Sequence, residues 1–156
     1  CDIRGIGQTF QSRYQGAHIV KEIHKRFPNK YLIVYSGSTF SVEYNNYFKL
    51  SDKTVKKGTD LSEWVVILDT AIKDFINPYK QWEKTRAFLQ ENEIDTKTLL
   101  KFEQAYIKSI LRKDDRFFRN ALQGNKRVMS NEYLSFSLNT LSNFISSVVS
   151  NMLMMN

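Results

Sequence analysis

Tyr31-Leu32-Ile33-Val34-Tyr35-Ser36-Gly37 is a continuous apolar run, preceded by Pro28-Asn29 and closed by Gly37-Ser38. A short run rich in β-branched and aromatic residues reads as a strand buried on both faces, the kind that parallel sheets use. Its C-terminal end carries a hydroxyl, Ser36, and a glycine, Gly37. In α/β sheets that end of the strand is where ligands bind. The rest of the chain is organised around this strand.

Upstream, Gly16 to Arg26 reads as a helix with Ala17, Ile19, Val20 and Ile23 on its buried side. Lys25 and Arg26 complement its C-terminal dipole, and Pro28 stops it. Before it, Cys1-Asp2-Ile3-Arg4-Gly5-Ile6-Gly7 reads as the end of a strand passing into a glycine loop that continues through Gln8–Gln15. Because the sequence opens in mid-motif at Cys1-Asp2, further residues are expected upstream. Downstream, residues 41–50 suggest a short irregular helix. Thr54-Val55-Lys56-Lys57 suggests a brief strand before Gly58. Thr59 or Asp60 should cap a helix whose buried stripe is Leu61, Trp64, Val65, Leu68 and Ile72. Strand and helix alternate to residue 75, as right-handed parallel crossovers require.

After Asn77-Pro78 the pattern is helical only. Pro78 suits a first helical position, with Tyr79, Trp82 and Leu89 on one side of that helix. Asp95 should cap a longer helix with Leu99, Leu100, Tyr106, Ile107, Ile110 and Leu111 as its apolar positions. Asp114 or Asp115 should cap a short helix that ends at Gly124. The last helix should begin near Ser130 or Asn131. Leu134, Leu138, Leu141, Ile145, Val148, Met152 and Met155 form a heptad seam within it, widened by Phe136, Phe144, Val149 and Leu153. Residues 133–156 carry no charged side chain. The seam is read as packing in a bundle with residues 78–123, its surplus face in the 130–156 helix meeting a protein partner or a second copy. The fold class is therefore α/β, with a parallel sheet, over residues 1–76, followed by an all-α region over residues 77–156.

The chain has 156 residues and a net charge of +7, shared as +3 on residues 1–76 and +4 on 77–156. No polybasic tail results, so charge alone assigns no nucleic-acid partner. One cysteine, Cys1, excludes an intrachain disulfide and a cysteine-cluster metal site. With no signal-peptide pattern or membrane-span window, a cytoplasmic location is expected. His18 and His24 fall on different helix faces with no third ligand, which argues against a metal site there.

Asp2-Ile3-Arg4, Gly16-Ala17 opening a helix, Phe27-Pro28 before Leu32-Ile33-Val34-Tyr35-Ser36-Gly37, and Lys57 before Leu61 form an ordered set. Together they resemble the receiver domain of bacterial response regulators, over roughly residues 1–75 and in its later part only. The resemblance implies a flavodoxin-like fold and two-component phosphorelay signalling. Asp2 would be the phosphoacceptor, Ser36 would bond a phosphoryl oxygen, and Lys57 would pair with the phosphorylated carboxylate. Mg²⁺ would be held by Asp2, the Arg4 backbone carbonyl and an acidic pair upstream of this sequence. The donor would be a histidine kinase or a phosphotransfer protein. Gly58 stands where the family has proline, Gly5-Ile6 where it has Met-Pro, and Thr54 at its aromatic switch position. Each site residue also has a plainer reading: Asp2 as a strand terminator, Ser36 as a small strand-end residue, and Lys56-Lys57 as a solvated pair.

A second reading makes the protein a non-enzymatic binding module. Lys108, Arg112, Lys113, Arg116, Arg119, Lys126 and Arg127 surround Phe117-Phe118. Such a set could contact nucleic-acid phosphates or a protein, with an aromatic ring available to stack on a base. The plainer account is that the phenylalanines are core and the charges solvate helix ends.

Overall fold

The computed structural model describes residues 16–37 and 45–154. The chain divides into two compact units, residues 1–76 and 77–156. Asp2, Arg4, the glycine loop, residues 41–44 and Met155 lie outside the described residues.

In the first unit, α1 (Gly16–Arg26) is followed by β1 (Ile33–Ser36), α2 (Asn45–Phe48), β2 (Lys53–Lys56) and α3 (Leu61–Ile76). β1 and β2 pair in parallel, with Ile33 opposite Lys53 and Ser36 opposite Lys56. Asp52 fixes the start of this ladder. Its Oδ2 accepts from the Leu32 N–H at 2.6 Å, and its own N–H donates to the Leu32 carbonyl at 2.9 Å. Ala17 and Val20 of α1 join Leu32 and Val34 in one buried cluster, flanked by Ile23, Tyr47, Phe48 and Leu50. On the opposite face, Tyr35 meets Trp64 of α3, with ring centroids 5.7 Å apart.

Two expectations need correction here. The strand is shorter than the apolar run and is not buried on both faces. Val34 and Ser36 are buried, whereas Ile33 and Tyr35 are only half-buried. The alternation follows from the pleat, since successive side chains point to opposite faces and these are unequally covered. On α3 the buried residues are Ile67 and Ala71. Leu61, Val65, Leu68 and Ile72 are exposed, Leu61 at 80%. Turning the helix by one position, about 100°, separates the Ile67 row from the Leu68 row.

In the second unit, α4 (Pro78–Glu91), α5 (Thr96–Arg112), α6 (Arg116–Gln123) and α7 (Lys126–Met129) pack against α8 (Glu132–Met154). Local chemistry sets the helix starts. Asn77 Oδ1 accepts from Tyr79 N–H at 2.9 Å, Asp95 Oδ1 from Thr98 N–H at 2.9 Å, and Asn131 Oδ1 from Tyr133 N–H at 3.0 Å. An aromatic group forms the centre of this core. Trp82 stacks on Tyr106 at 5.3 Å, and Phe118 meets Tyr106 and Phe102 edge-on at 5.8 and 6.3 Å. The Tyr106 hydroxyl donates to the Pro78 carbonyl at 2.8 Å.

α5 turns a different face inward from the one expected. Leu99, Phe102, Tyr106 and Ser109 are buried, while Leu100, Ile107 and Leu111 are exposed. Tyr79 is likewise exposed, although Trp82 and Leu89 are buried. The seam of α8 is buried at Leu134, Leu138, Leu141 and Ile145 and then moves to Val149, leaving Val148 and Met152 half-buried. A straight α-helix drifts away from a strict heptad in this way. In this unit, among the described residues, the left-handed positions are not glycine: Glu93, at φ 58°, follows α4 and Lys113, at φ 51°, ends α5, whereas Gly124 has an ordinary φ of −71°. No helix among the described residues is long and apolar enough to cross a membrane.

Leu141 is fully buried, so Leu141→Ala should destabilise the helical unit by about 2–5 kcal/mol. Leu153→Ala, at an exposed site on the same helix, should cost about 0.5 kcal/mol or less. Denaturant melts of the two variants check both values.

Acid should act through the helix caps. Asp95 is held below the ordinary carboxylate range, chiefly by the Thr98 N–H. Asp60 is held low by the Ser62 hydroxyl and then by the Glu63 N–H. A depressed folded-state pKa gives stabilisation that is complete above the unfolded value near ~3.9 and is lost as pH falls through the lower folded value. Asp95→Asn retains a capping oxygen but cannot titrate. Its melting temperature should therefore fall less steeply than the parent's below about pH 4, as thermal scans across that range would show.

Candidate functional site

The parallel ladder brings the ends of β1 and β2 together. Ser36, the last residue of β1, is buried, and the Lys57 N–H just past β2 donates to its carbonyl at 2.9 Å. The Lys57 stem passes Gly37, where an added Cβ would meet Lys57 Cδ at 3.8 Å. Lys57 Nζ lies 5.9 Å from the centroid of the Tyr35 ring, within cation–π range. Ser36 and Lys57 thus share one end of the sheet. Asp2 and Arg4 lie outside the described residues.

The turn after Lys57 is built for glycine. Gly58 has φ 93° and donates its N–H to Tyr35 Oη at 3.4 Å. Proline, fixed near φ −65°, cannot adopt that conformation. Thr59 closes the turn, its N–H and hydroxyl reaching the Lys56 carbonyl at 3.2 and 2.7 Å. Asp60 then caps α3, accepting from Glu63 N–H at 2.9 Å and from the Ser62 hydroxyl at 2.6 Å. Beside this turn is a cleft of about 510 Å³, lined by residues 53–59 together with Glu63 and Ile67.

Tyr35 and Trp64 are the residues that a reading of the sequence leaves out of the site. Alternation along the apolar run carries the signal for Tyr35, because it shares parity with Ile33 and must face away from Val34 and Ser36. Trp64 could be identified as its neighbour only once the face of α3 was known.

Ser36 and Lys57 suit phosphoryl oxygens rather than a cation, and no group of three or more His, Cys, Asp or Glu able to hold a metal occurs among the described residues. His18 and His24 are both half-buried. His18 lines a separate cleft of about 260 Å³ with Ile19, Glu22, Ile23, Arg26 and Phe27.

In the helical unit the basic residues fall into two groups. Arg116 forms a forked pair with Asp114 through Nε and a terminal nitrogen, the latter at 2.8 Å. Arg119 pairs with Asp115 at 2.6 Å and donates to Ser146 Oγ at 2.9 Å, which links α6 to α8. These two arginines are thereby partly neutralised within the fold. Lys108 lies over one face of the half-buried Phe117 ring, 4.3 Å from its centroid, and Phe118 is fully buried. Lys113, Lys126, Arg127 and Arg112 are exposed around this group.

No protein-family model, no curated protein and no solved structure matches this chain.

Gly58→Ala should destabilise the first unit by about 1–2 kcal/mol, the cost of a left-handed conformation for an L-residue. Nothing lies within 4 Å of the added methyl group, so the whole cost comes from the backbone. Gly37→Ala meets only ordinary contact and should cost well under about 1 kcal/mol. Parallel denaturant melts of the two variants test this contrast.

Proposed function

We propose that the protein is a signal-transduction regulator: residues 1–76 form a receiver-like phosphoacceptor unit of flavodoxin-like type, and residues 77–156 form its helical output region. One observation carries this reading. Ser36 and Lys57 stand at the same end of neighbouring parallel strands, joined by the Lys57 N–H to Ser36 carbonyl bond of 2.9 Å. A hydroxyl-bearing and an ammonium-bearing residue at the same C-terminal edge of a parallel sheet supply the kinds of group that an acyl phosphate needs around it.

In this reading an Asp2 carboxylate oxygen attacks the donor phosphorus. The new P–O bond forms as the bond to the donor's leaving group breaks, and the leaving group departs with that electron pair. Ser36 bonds one oxygen of the transferred group, and Lys57 holds the charge gathered on the others. The resemblance assigns the metal to Asp2 and the Arg4 carbonyl. A bound Mg²⁺ would offset charge on the phosphoryl group. Drawing Ser36 and Lys57 toward the acyl phosphate would also engage Tyr35 and the Gly58 turn, shifting the population of this surface between two arrangements. A histidine kinase or phosphotransfer protein would supply the phosphoryl group. The helical unit would make the contacts that respond.

The test is phosphoryl uptake from a small acyl-phosphate donor with Mg²⁺, followed by intact mass. Asp2→Asn should abolish the added mass of one phosphoryl group. Lys57→Ala should reduce uptake by about tenfold or more, corresponding to the loss of one charge-assisted contact. Undiminished uptake by Asp2→Asn would remove Asp2 from the reaction.

A further inference from the structure

The outer edge of β2 has a second property, independent of phosphoryl chemistry. In the ladder to β1, Lys53 N–H donates to the Leu32 carbonyl and Lys57 N–H to the Ser36 carbonyl. Alternation therefore turns the backbone groups of Thr54 and Lys56 away from β1. The Lys56 carbonyl is taken by Thr59. The Thr54 N–H, the Thr54 carbonyl and the Lys56 N–H face outward, and among the described residues β2 has no second strand beside it. The cleft of about 510 Å³ follows this strand from Lys53 to Thr59 and reaches Ile67 and Glu63 of α3. Buried Val55 and Ile67 supply its apolar lining, while Lys53 and Lys56 are exposed at its border.

We propose that this edge and cleft take an acidic extended peptide as a third strand, by β-strand addition. Thr54 offers a donor and an acceptor together. A peptide backbone satisfies both, whereas a phosphate or a DNA backbone offers only acceptors and leaves the carbonyl unmet. Side chains alternate along an added strand. One set would meet the apolar lining on the face that Val55 shares with Lys53, and the acidic set, on the other face, would lie beside Lys56 as a favourable cross-strand pair. The same lysines oppose pairing with a second copy of this edge, because like charges would then face each other across the new ladder.

The experiment uses the full chain and a labelled hexapeptide of alternating glutamate and valine, with binding read by fluorescence anisotropy and amide hydrogen exchange. The peptide should bind saturably and slow exchange at Thr54 and Lys56. Thr54→Pro removes an outward N–H without removing a bond to β1, and should weaken binding by about tenfold or more. Lys53→Glu with Lys56→Glu should weaken it to a similar degree and restore binding to a lysine–valine peptide. If Thr54→Pro fails to fold, the charge-reversed variant and the exchange pattern decide the matter. No saturable binding by the parent would overturn the proposal, as would equal binding to Thr54→Pro or to a proline-interrupted peptide. So would unchanged exchange at Thr54 and Lys56, or self-association through this edge in place of peptide binding.

Discussion

The candidate site depends on the parallel direction of one short ladder. Two adjacent parallel strands put their C-terminal ends on the same side, and an intervening segment must carry the chain back between them. With Ser36 opposite Lys56, the residue after β2 falls at the same sheet end as Ser36, its N–H on the Ser36 carbonyl. An antiparallel pairing of the same segments would have sent Lys57 to the opposite end. Asp52 protects this register at its start, where a slip of one residue would exchange the faces of every side chain on the strand.

The helical unit rests on a different kind of constraint. Tyr106 has one end among Trp82 and Phe118 and its hydroxyl on the Pro78 carbonyl, so α5 is tied to the first turn of α4 by packing and by a hydrogen bond at once. Burial pushes the Tyr106 hydroxyl well above its ordinary pKa, since the charged phenolate would be poorly solvated there. Ser109 serves similarly at the other end of α5. It is fully buried, and its Oγ accepts the Phe118 N–H at 3.0 Å, satisfying a donor at the start of α6 that has no intrahelical partner.

The sequence discloses what local chemistry decides. The limits of α1, the Asp60, Asp95 and Asn131 caps and the Pro78 start are all legible, because each depends on residues within about one turn. Which face of a helix is buried is decided by what lies opposite. On α3 and α5 the apolar residues cover more than half the circumference, so periodicity admits more than one inward face. The selected rows, Ile67–Ala71 and Phe102–Tyr106–Ser109, become visible only in the packing. At the site, Ser36 and Lys57 could be picked out from their order along the chain. Alternation gave Tyr35 its face, but its approach to Lys57 depends on the pairing of β1 with β2, which the apolar run does not reveal.

Gly58 combines a left-handed backbone with open space where a side chain would stand. Its backbone disfavours residues of one hand only. A D-alanine introduced at this position by chemical ligation would occupy the conformation without strain. It would also restrict the unfolded chain more than glycine does, by an amount on the order of 0.5–1 kcal/mol. The turn that carries Lys57 to the sheet end could thus be stiffened without altering any side chain around it.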